Sequence, residues 1–294
     1  MPQIETRSVH PPALRKPTVG LALGGGGARG LAHVLVLEVL DEMGIRPVAI
    51  AGTSIGALFG SAYALGMSGR AIRAMAEETL RNRFDLARQL FQARSDPVQK
   101  VLRLLPLRTS LLNSAVLLDL LAPEISNRDF KDLAIPMQVV ATDLASHDSV
   151  VIESGSLRNA VAASIAIPLV FSPVTHGGRL LVDGGLVNPL PFELVAGKAD
   201  VTIAIDVSGA SKETDLGAQP SAVEVLMRSV QILEKSITRQ KLAWRQPDVY
   251  IDVGLDQYGA LEFWRAGEIL EAARPVKDVV RRQPTRLITS ETVE

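Results

Sequence analysis

The fold is decided by residues 18–56, which read TVGLALGGGGARGLAHVLVLEVLDEMGIRPVAIAGTSIG. The run from Thr18 to Leu23 is apolar and rich in small and β-branched residues, which predicts a buried strand. Four glycines at 24–27 interrupt it. The apolar stretch from about Ala28 to Met43 then predicts a helix that Gly44 closes.

The same strand-then-helix pattern follows at once. Val48 to Ala51 is a second predicted strand, and Ile55 to Leu65 a second helix. Further buried strands are predicted at Met137–Ala141, Leu180–Val182 and Val201–Val207. Alternation of strands and helices predicts an α/β fold of three layers, in which a mostly parallel central sheet is flanked by helices.

The sharpest local motif is Gly52-Thr53-Ser54-Ile55-Gly56, which matches Gly-x-Ser-x-Gly between a predicted strand and a predicted helix. A serine on such a sharp turn has a strained backbone, and Gly52 and Gly56 leave room for the chain to pass. The motif predicts Ser54 as a nucleophile. Helix capping by Thr53 or Ser54 is the alternative, and the pentapeptide alone does not exclude it.

The glycine loop from Gly25 to Gly30 satisfies Gly-x-Gly-x-x-Gly, the pattern of a dinucleotide site. That site requires an acidic residue about twenty positions later, and residues 50–54 contain none. No Gly-Lys-Ser or Gly-Lys-Thr follows, so a phosphate-binding loop is excluded too. The amides of Gly26 and Gly27, with Gly25 and Ala28 beside them, are predicted to hold the oxyanion of an acyl transfer. A tight turn without a ligand is the alternative.

A serine nucleophile needs a base within hydrogen-bond reach. Asp183 follows a short strand, and two glycines after it let its loop approach closely. Asp143 and Asp206 also end predicted strands, where turn formation is their common role. The chain has four histidines, of which His147 and His176 fall in predicted loops; the others are His10 and His33. On the residues alone Asp183 leads, and the other candidates stay open.

These motifs, in this order, resemble the patatin-like phospholipase family. The resemblance is carried by Gly25–Gly30, Gly52–Gly56 and Asp183-Gly184-Gly185, by the stretch 163–173 before the aspartate, and by Ala141–Leu144. It covers roughly 19–207. It implies a Ser54–Asp183 dyad without histidine, an oxyanion hole at Gly25, Gly26, Gly27 and Ala28, and hydrolysis of lipid esters without metal or cofactor.

Composition limits the other function classes. The 294 residues have a formal net charge of −1, which gives no general attraction to nucleic acid. There is no cysteine, so disulfides, thiolate metal sites and cysteine nucleophiles are excluded. The stretch 48–69 has no charged residue, but its glycines and polar residues favour a strand, turn and core helix over a membrane span. No signal-peptide pattern opens the chain, so we expect a cytoplasmic protein.

A single catalytic domain is expected over 17–282, with the motifs in 19–207 and a helical part at 220–282. A disordered arm is predicted at 1–16 and a flexible tail at 283–294. No linker separates two complete cores. Oligomeric state is not predicted.

Two features leave their roles open. Arg29 is expected to orient the glycine loop or meet a lipid phosphate, with a structural ion pair as the alternative. The segment 81–108 holds seven Lys or Arg against two Asp, interleaved with apolar residues. It predicts peripheral contact with anionic lipid, or else an ordinary amphipathic helix pair. The alternative from a different class of function is a regulatory or scaffold protein. Such a protein would retain the fold but act through partners rather than through catalytic turnover.

Overall fold

A computed structural model describes residues 17–92, 112–209 and 222–289, and it describes their side chains except those of 81–92, 120, 222–224 and 284–289. The predicted arm at 1–16 and the basic segment beyond residue 92 lie outside the described residues. No helix within the described ranges is long and apolar enough to cross a membrane.

Eight strands of the described chain form one sheet. Their order is β5–β6–β3–β2–β1–β7–β8, and β4 pairs with β3. Strands β3, β2, β1, β7 and β8 run parallel, while β4, β5 and β6 pair antiparallel. The strands are β1 Val19–Leu23, β2 Ala49–Thr53, β3 Met137–Asp143, β4 Ser149–Ile152, β5 Val174–His176, β6 Arg179–Asp183, β7 Val201–Asp206 and β8 Val249–Asp252.

Helices surround this sheet. They are α1 Ala32–Glu42, α2 Ile55–Ala64, α3 Gly69–Gln92, α4 Ser114–Leu121, α5 Leu157–Ser164, α6 Ala222–Trp244, α7 Ala266–Ala273 and α8 Val276–Thr289. The sequence predicts one helix around 264–280, but Pro275 separates α7 from α8, because proline cannot donate the helical hydrogen bond. Helix α8 continues past Gln283, where the sequence predicts the tail to begin.

The two faces of the sheet differ in side-chain size. Large residues at paired positions of three strands, such as Leu21, Ile50 and Ile203, join the main core. The neighbouring positions carry alanine, and Ala22, Ala51 and Ala204 form a second, smaller core. Alternation along the strands puts the two sets on opposite faces. The alanine face lets Leu190 and Phe192 approach the sheet closely, together with Leu242 of α6.

The pairing of β3 brings two strand ends together. β3 pairs with β2 along 137–140, with β6 along 141–143, and with β4 along 139–142. A strand has only two edges, so β2 and β6 share the edge that β4 does not occupy. Because β6 runs antiparallel to β3, its final residue, Asp183, meets the carboxyl end of β2, which precedes Ser54.

The close packing of α2 against β1 predicts that Gly56 cannot be replaced by a larger residue without loss of stability. A Cβ at Gly56 would fall onto Leu23 O and lie 2.7 Å from Gly24 O, both backbone atoms. We expect Gly56→Ala to lower the free energy of unfolding by about 2 kcal/mol or more. Gly267→Ala in α7 is the control, since nothing lies within 4 Å of its Cβ position and alanine favours helix. Urea denaturation measures both; equal stability of the two variants would contradict this packing.

Candidate active site

Ser54 stands at the turn between β2 and α2 in a strained conformation. Its backbone has φ 54° and ψ −123°, which side-chain-bearing residues rarely adopt. A Cβ at Gly52 would lie 2.7 Å from Ala57 N, so glycine is needed where the chain doubles back. Strain of this kind persists only where the surrounding structure enforces it, which is common at functional sites.

The hydroxyl of Ser54 donates to Asp183. Ser54 Oγ lies 2.6 Å from Asp183 Oδ2, and both residues are buried, with 6% and 5% of their surfaces exposed. The other carboxylate oxygen, Oδ1, accepts the amide hydrogen of Gly185 at 2.8 Å. Each oxygen of Asp183 therefore has one donor, and the carboxylate is fixed in orientation toward the serine.

The backbone of Asp183 is held equally firmly. Its amide donates to Ala166 O at 3.0 Å, and its carbonyl accepts from Thr142 Oγ1 at 2.8 Å. A Cβ at Gly184 would fall onto Val140 O, so the turn after Asp183 passes directly over β3. The sequence predicts glycine here for close approach, and the packing supplies the reason.

Burial strengthens Asp183 as a base. It raises the pKa of the carboxyl to about 6, because the charged form is poorly solvated, while hydrogen bonds from Ser54 and Gly185 act in the opposite direction. A carboxylate with a raised pKa accepts a hydroxyl proton more readily than an exposed one.

The glycine loop lies beside Ser54 but does not offer four free amides. Gly25 donates to Pro189 O at 2.9 Å and Ala28 to Ala260 O at 2.7 Å. Within the described parts of the chain, the amides of Gly26 and Gly27 have no acceptor. A Cβ at Gly26 would lie 2.5 Å from Val207 O, and Gly27 has φ 57°, so both positions require glycine.

Arg29 supports this loop from within the protein. It is buried, and its Nε donates to Gly26 O at 3.2 Å. Burial lowers the pKa of the guanidinium, and the nearby carboxylates of Glu234, Asp206 and Asp256 act in the opposite direction. The hydrogen bond to Gly26 O is in keeping with orientation of the loop, and the nearby carboxylates are in keeping with the structural ion pair that is the alternative.

Ser164 is a site residue that motif spacing did not single out. Ser54 N donates to Ser164 Oγ at 2.8 Å, and Ser164 Oγ donates to Val140 O at 2.6 Å. Ser164 is buried at the end of α5 and links the strained turn to β3. Its only sequence signal is its place in the stretch 163–173 that resembles the family.

The other candidate bases lie elsewhere. Asp143 accepts the Ala145 amide at 2.9 Å, and Asp206 binds Ser208, Lys235 and Tyr250. His147 has φ 65° in the turn after β3, and His176 ends β5. In the described ranges no three His, Asp or Glu side chains are grouped as metal ligands would be.

His33 is buried in α1 beneath the glycine loop. Its Nε2 lies 2.9 Å from Gly24 O, which can only accept, so Nε2 carries the proton. Burial lowers the pKa of the imidazole from 6.5 to about 4, and the hydrogen bond to Gly24 acts in the opposite direction. A neutral His33 therefore serves as a donor that holds the loop.

Comparison with known protein families gives a match over the region that contains Ser54 and Asp183. A family model described as patatin-like phospholipase matches residues 21–196, more than half of the chain. The chain belongs to the patatin-like phospholipase family. The family fold expected from the motifs, a mostly parallel sheet flanked by helices, is confirmed.

Several known proteins are similar to this chain in sequence or in fold. An uncharacterized NTE family protein of Mycobacterium tuberculosis is 38% identical over 75% of this chain and 59% of its own. Patatin-like phospholipase domain-containing protein 7 of Rattus norvegicus is 31% identical over 86% of this chain and 20% of its own. The chain thus spans less than two thirds of the length of these relatives. Among solved structures, VipD from Legionella pneumophila is 16% identical with a TM-score of 0.47, over 90% of this chain and 67% of its own.

The buried His33 predicts a pH-dependent stability. Between pH 6.5 and 4, His33 binds a proton in the unfolded state but not in the folded state. The stabilising contribution of neutral His33 is therefore present above pH 6.5 and is lost as pH falls toward 4. The loss amounts to about 3 kcal/mol at most. We expect the free energy of unfolding of His33→Gln to fall less between pH 7 and 4.5 than that of wild type. His147→Asn, an exposed site, is the control. Parallel pH curves for wild type and His33→Gln would disprove it.

Proposed function

We propose that this patatin-like chain is a serine acyl hydrolase that cleaves carboxylic esters of lipids with Ser54 as nucleophile and Asp183 as its base. The observation that carries the proposal is the 2.6 Å hydrogen bond from Ser54 Oγ to Asp183 Oδ2 at the strained strand-to-helix turn. The unoccupied amides of Gly26 and Gly27 beside that turn supply the second element of acyl transfer.

The reaction begins when Asp183 Oδ2 takes the proton of Ser54 Oγ, which attacks the acyl carbon. The carbonyl oxygen becomes an anion and is held by the amides of Gly26 and Gly27. Asp183 then returns the proton to the departing alcohol, and an ester of Ser54 remains. A water molecule gives a proton to Asp183 and attacks this ester. As the bond to Ser54 Oγ breaks, Asp183 returns the proton to Ser54 Oγ, and the fatty acid is released.

The rigid surroundings explain how a carboxylate can suffice as the base. Both oxygens of Asp183 have fixed donors, so little reorganisation precedes proton transfer. Oxyanion donors in such sites contribute about 10²–10³-fold to kcat each. The positive end of α2, which begins at Ile55, also points toward the charge that develops near Ser54.

Removal of either member of the dyad should abolish turnover. We expect Ser54→Ala and Asp183→Asn to lower kcat for a short-chain ester by about 10³-fold or more, with circular dichroism unchanged. Asp143→Asn is the matched control, a buried aspartate that also ends a strand but does not contact Ser54. Wild-type activity should also fall as pH drops below about 6, where Asp183 gains its proton.

Near-normal turnover in Ser54→Ala or Asp183→Asn would overturn the dyad. A wild-type chain that folds but hydrolyses no ester would favour the regulatory alternative.

The lipid class within this proposal is a phospholipid or lysophospholipid, in keeping with the name of the family. Hydrolysis of a total lipid extract, followed by mass spectrometry of the lost esters, identifies the head group and the acyl chain.

We further propose that the protein acts in the cytoplasm and meets the inner face of a membrane through segment 81–108, whose sequence contains seven Lys or Arg and two Asp. Sedimentation with liposomes should increase with anionic lipid content and fall with added salt, because salt screens the attraction. A triple variant Arg94→Gln, Lys100→Gln and Arg103→Gln should sediment less. Binding that ignores both lipid charge and salt would remove this proposal.

A further inference from the structure

A second carboxyl group lies next to the dyad. Glu234, on α6, faces the turn Gly184–Gly185 that follows Asp183. A Cβ at Gly185 would fall onto Glu234 Oε1 and lie 3.1 Å from Asp183 Oδ1. The space left by the missing side chain of Gly185 is therefore bordered by both carboxyl groups.

Within the described chain, the carboxyl of Glu234 makes no hydrogen bond or close ion pair. The next residue, Lys235, points to other acids and lies 3.2 Å from Asp206 Oδ2 and 3.1 Å from Asp252 Oδ2. Farther along α6, Lys241 holds the loop after the dyad through Asn188 and Glu193. Glu234 is thus an acid of α6 that is directed at the dyad and has no hydrogen-bond partner among the described residues.

Three charged groups face Glu234 from the elements packed around it. They are Asp183 at the end of β6, Arg29 in the glycine loop and Asp206 at the end of β7. Two of these three are acids, and Asp206 is already paired with Lys235. Arg29 is the cation among them, and it also faces Asp206, Asp252 and Asp256. The charge of Glu234 is therefore only partly offset.

We propose that Glu234 is a positioning residue of the dyad, which acts through Asp183 by favouring transfer of the Ser54 proton once its own carboxyl is ionised. The inference rests on the proposed acyl-hydrolase function. When Ser54 attacks, the negative charge leaves Asp183, which borders Glu234 at Gly185, and moves to the oxyanion that the amides of Gly26 and Gly27 hold. A negative charge on Glu234 disfavours a second negative charge on the neighbouring Asp183 and therefore favours its transfer away from that residue.

The order of ionisation follows from the same geometry. Burial and then the charge of Asp183 raise the pKa of Glu234 to about 8, and Arg29 acts in the opposite direction. Asp183, with a pKa of about 6, loses its proton first. At pH 7 the dyad is ready while Glu234 is still neutral. Ionisation of Glu234 near pH 8 then makes Asp183 a stronger base.

Residues 21–196 carry the family match, and Glu234 lies outside them. Comparison of the family motifs therefore does not include Glu234.

The test is the pH profile of kcat/KM for a water-soluble alkyl ester between pH 5 and 9.5. Wild type should rise through pH 6 and then rise again by about threefold around pH 8. Glu234→Gln, which cannot ionise, should lack the second rise. Glu234→Asp should restore part of it. Glu124→Gln, an exposed acid after α4, is the control and should keep both rises.

The outcomes separate the two proposals. Wild type without a second rise, or with a fall near pH 8, overturns the role of Glu234 even if no variant folds. A second rise that survives in folded Glu234→Gln overturns it as well. Wild-type protein that hydrolyses no ester at any pH overturns the proposed function, and the role of Glu234 with it.

Discussion

The meeting of two strand ends on one edge of β3 is the constraint on which the site depends. β2 and β6 approach each other along that edge, and their carboxyl ends carry Ser54 and Asp183. The main-chain pairing of the sheet, rather than any long side chain, therefore sets the 2.6 Å contact. Ser164 and Thr142 then tie both residues to β3 and its neighbours, so the strain at Ser54 is supported from the same strand.

The unequal faces of the sheet explain how α6 reaches the site. Small residues at Ala22, Ala51 and Ala204 let Phe192 and α6 pack close to the strands. Helix α6 then places Lys241 against the loop at 188–193 and Glu234 against the turn at Gly185. The alanine face thus connects core packing to the electrostatics of the dyad.

The sequence predicts the framework well because its signals are local. The strand and helix around residues 18–65, the elbow at Ser54 and the strand before Asp183 depend on apolar runs and glycines, which the sequence displays directly. β5 escapes prediction because three residues carry too short a pattern. The sequence does not predict the roles of Glu234 and Ser164, because these roles depend on tertiary contacts with Gly185 and Val140 respectively. The use of the Gly25 and Ala28 amides by Pro189 and Ala260 is equally invisible in a glycine motif.

The central claim is that Ser54, activated by Asp183, is the nucleophile. The most direct measurement is mass spectrometry of the full chain after reaction with a fluorophosphonate, followed by peptide mapping of the adduct. The account predicts one adduct per chain, located on Ser54, and its loss in Asp183→Asn. No adduct on the folded protein, an adduct on another serine, or undiminished labelling without Asp183 would contradict it.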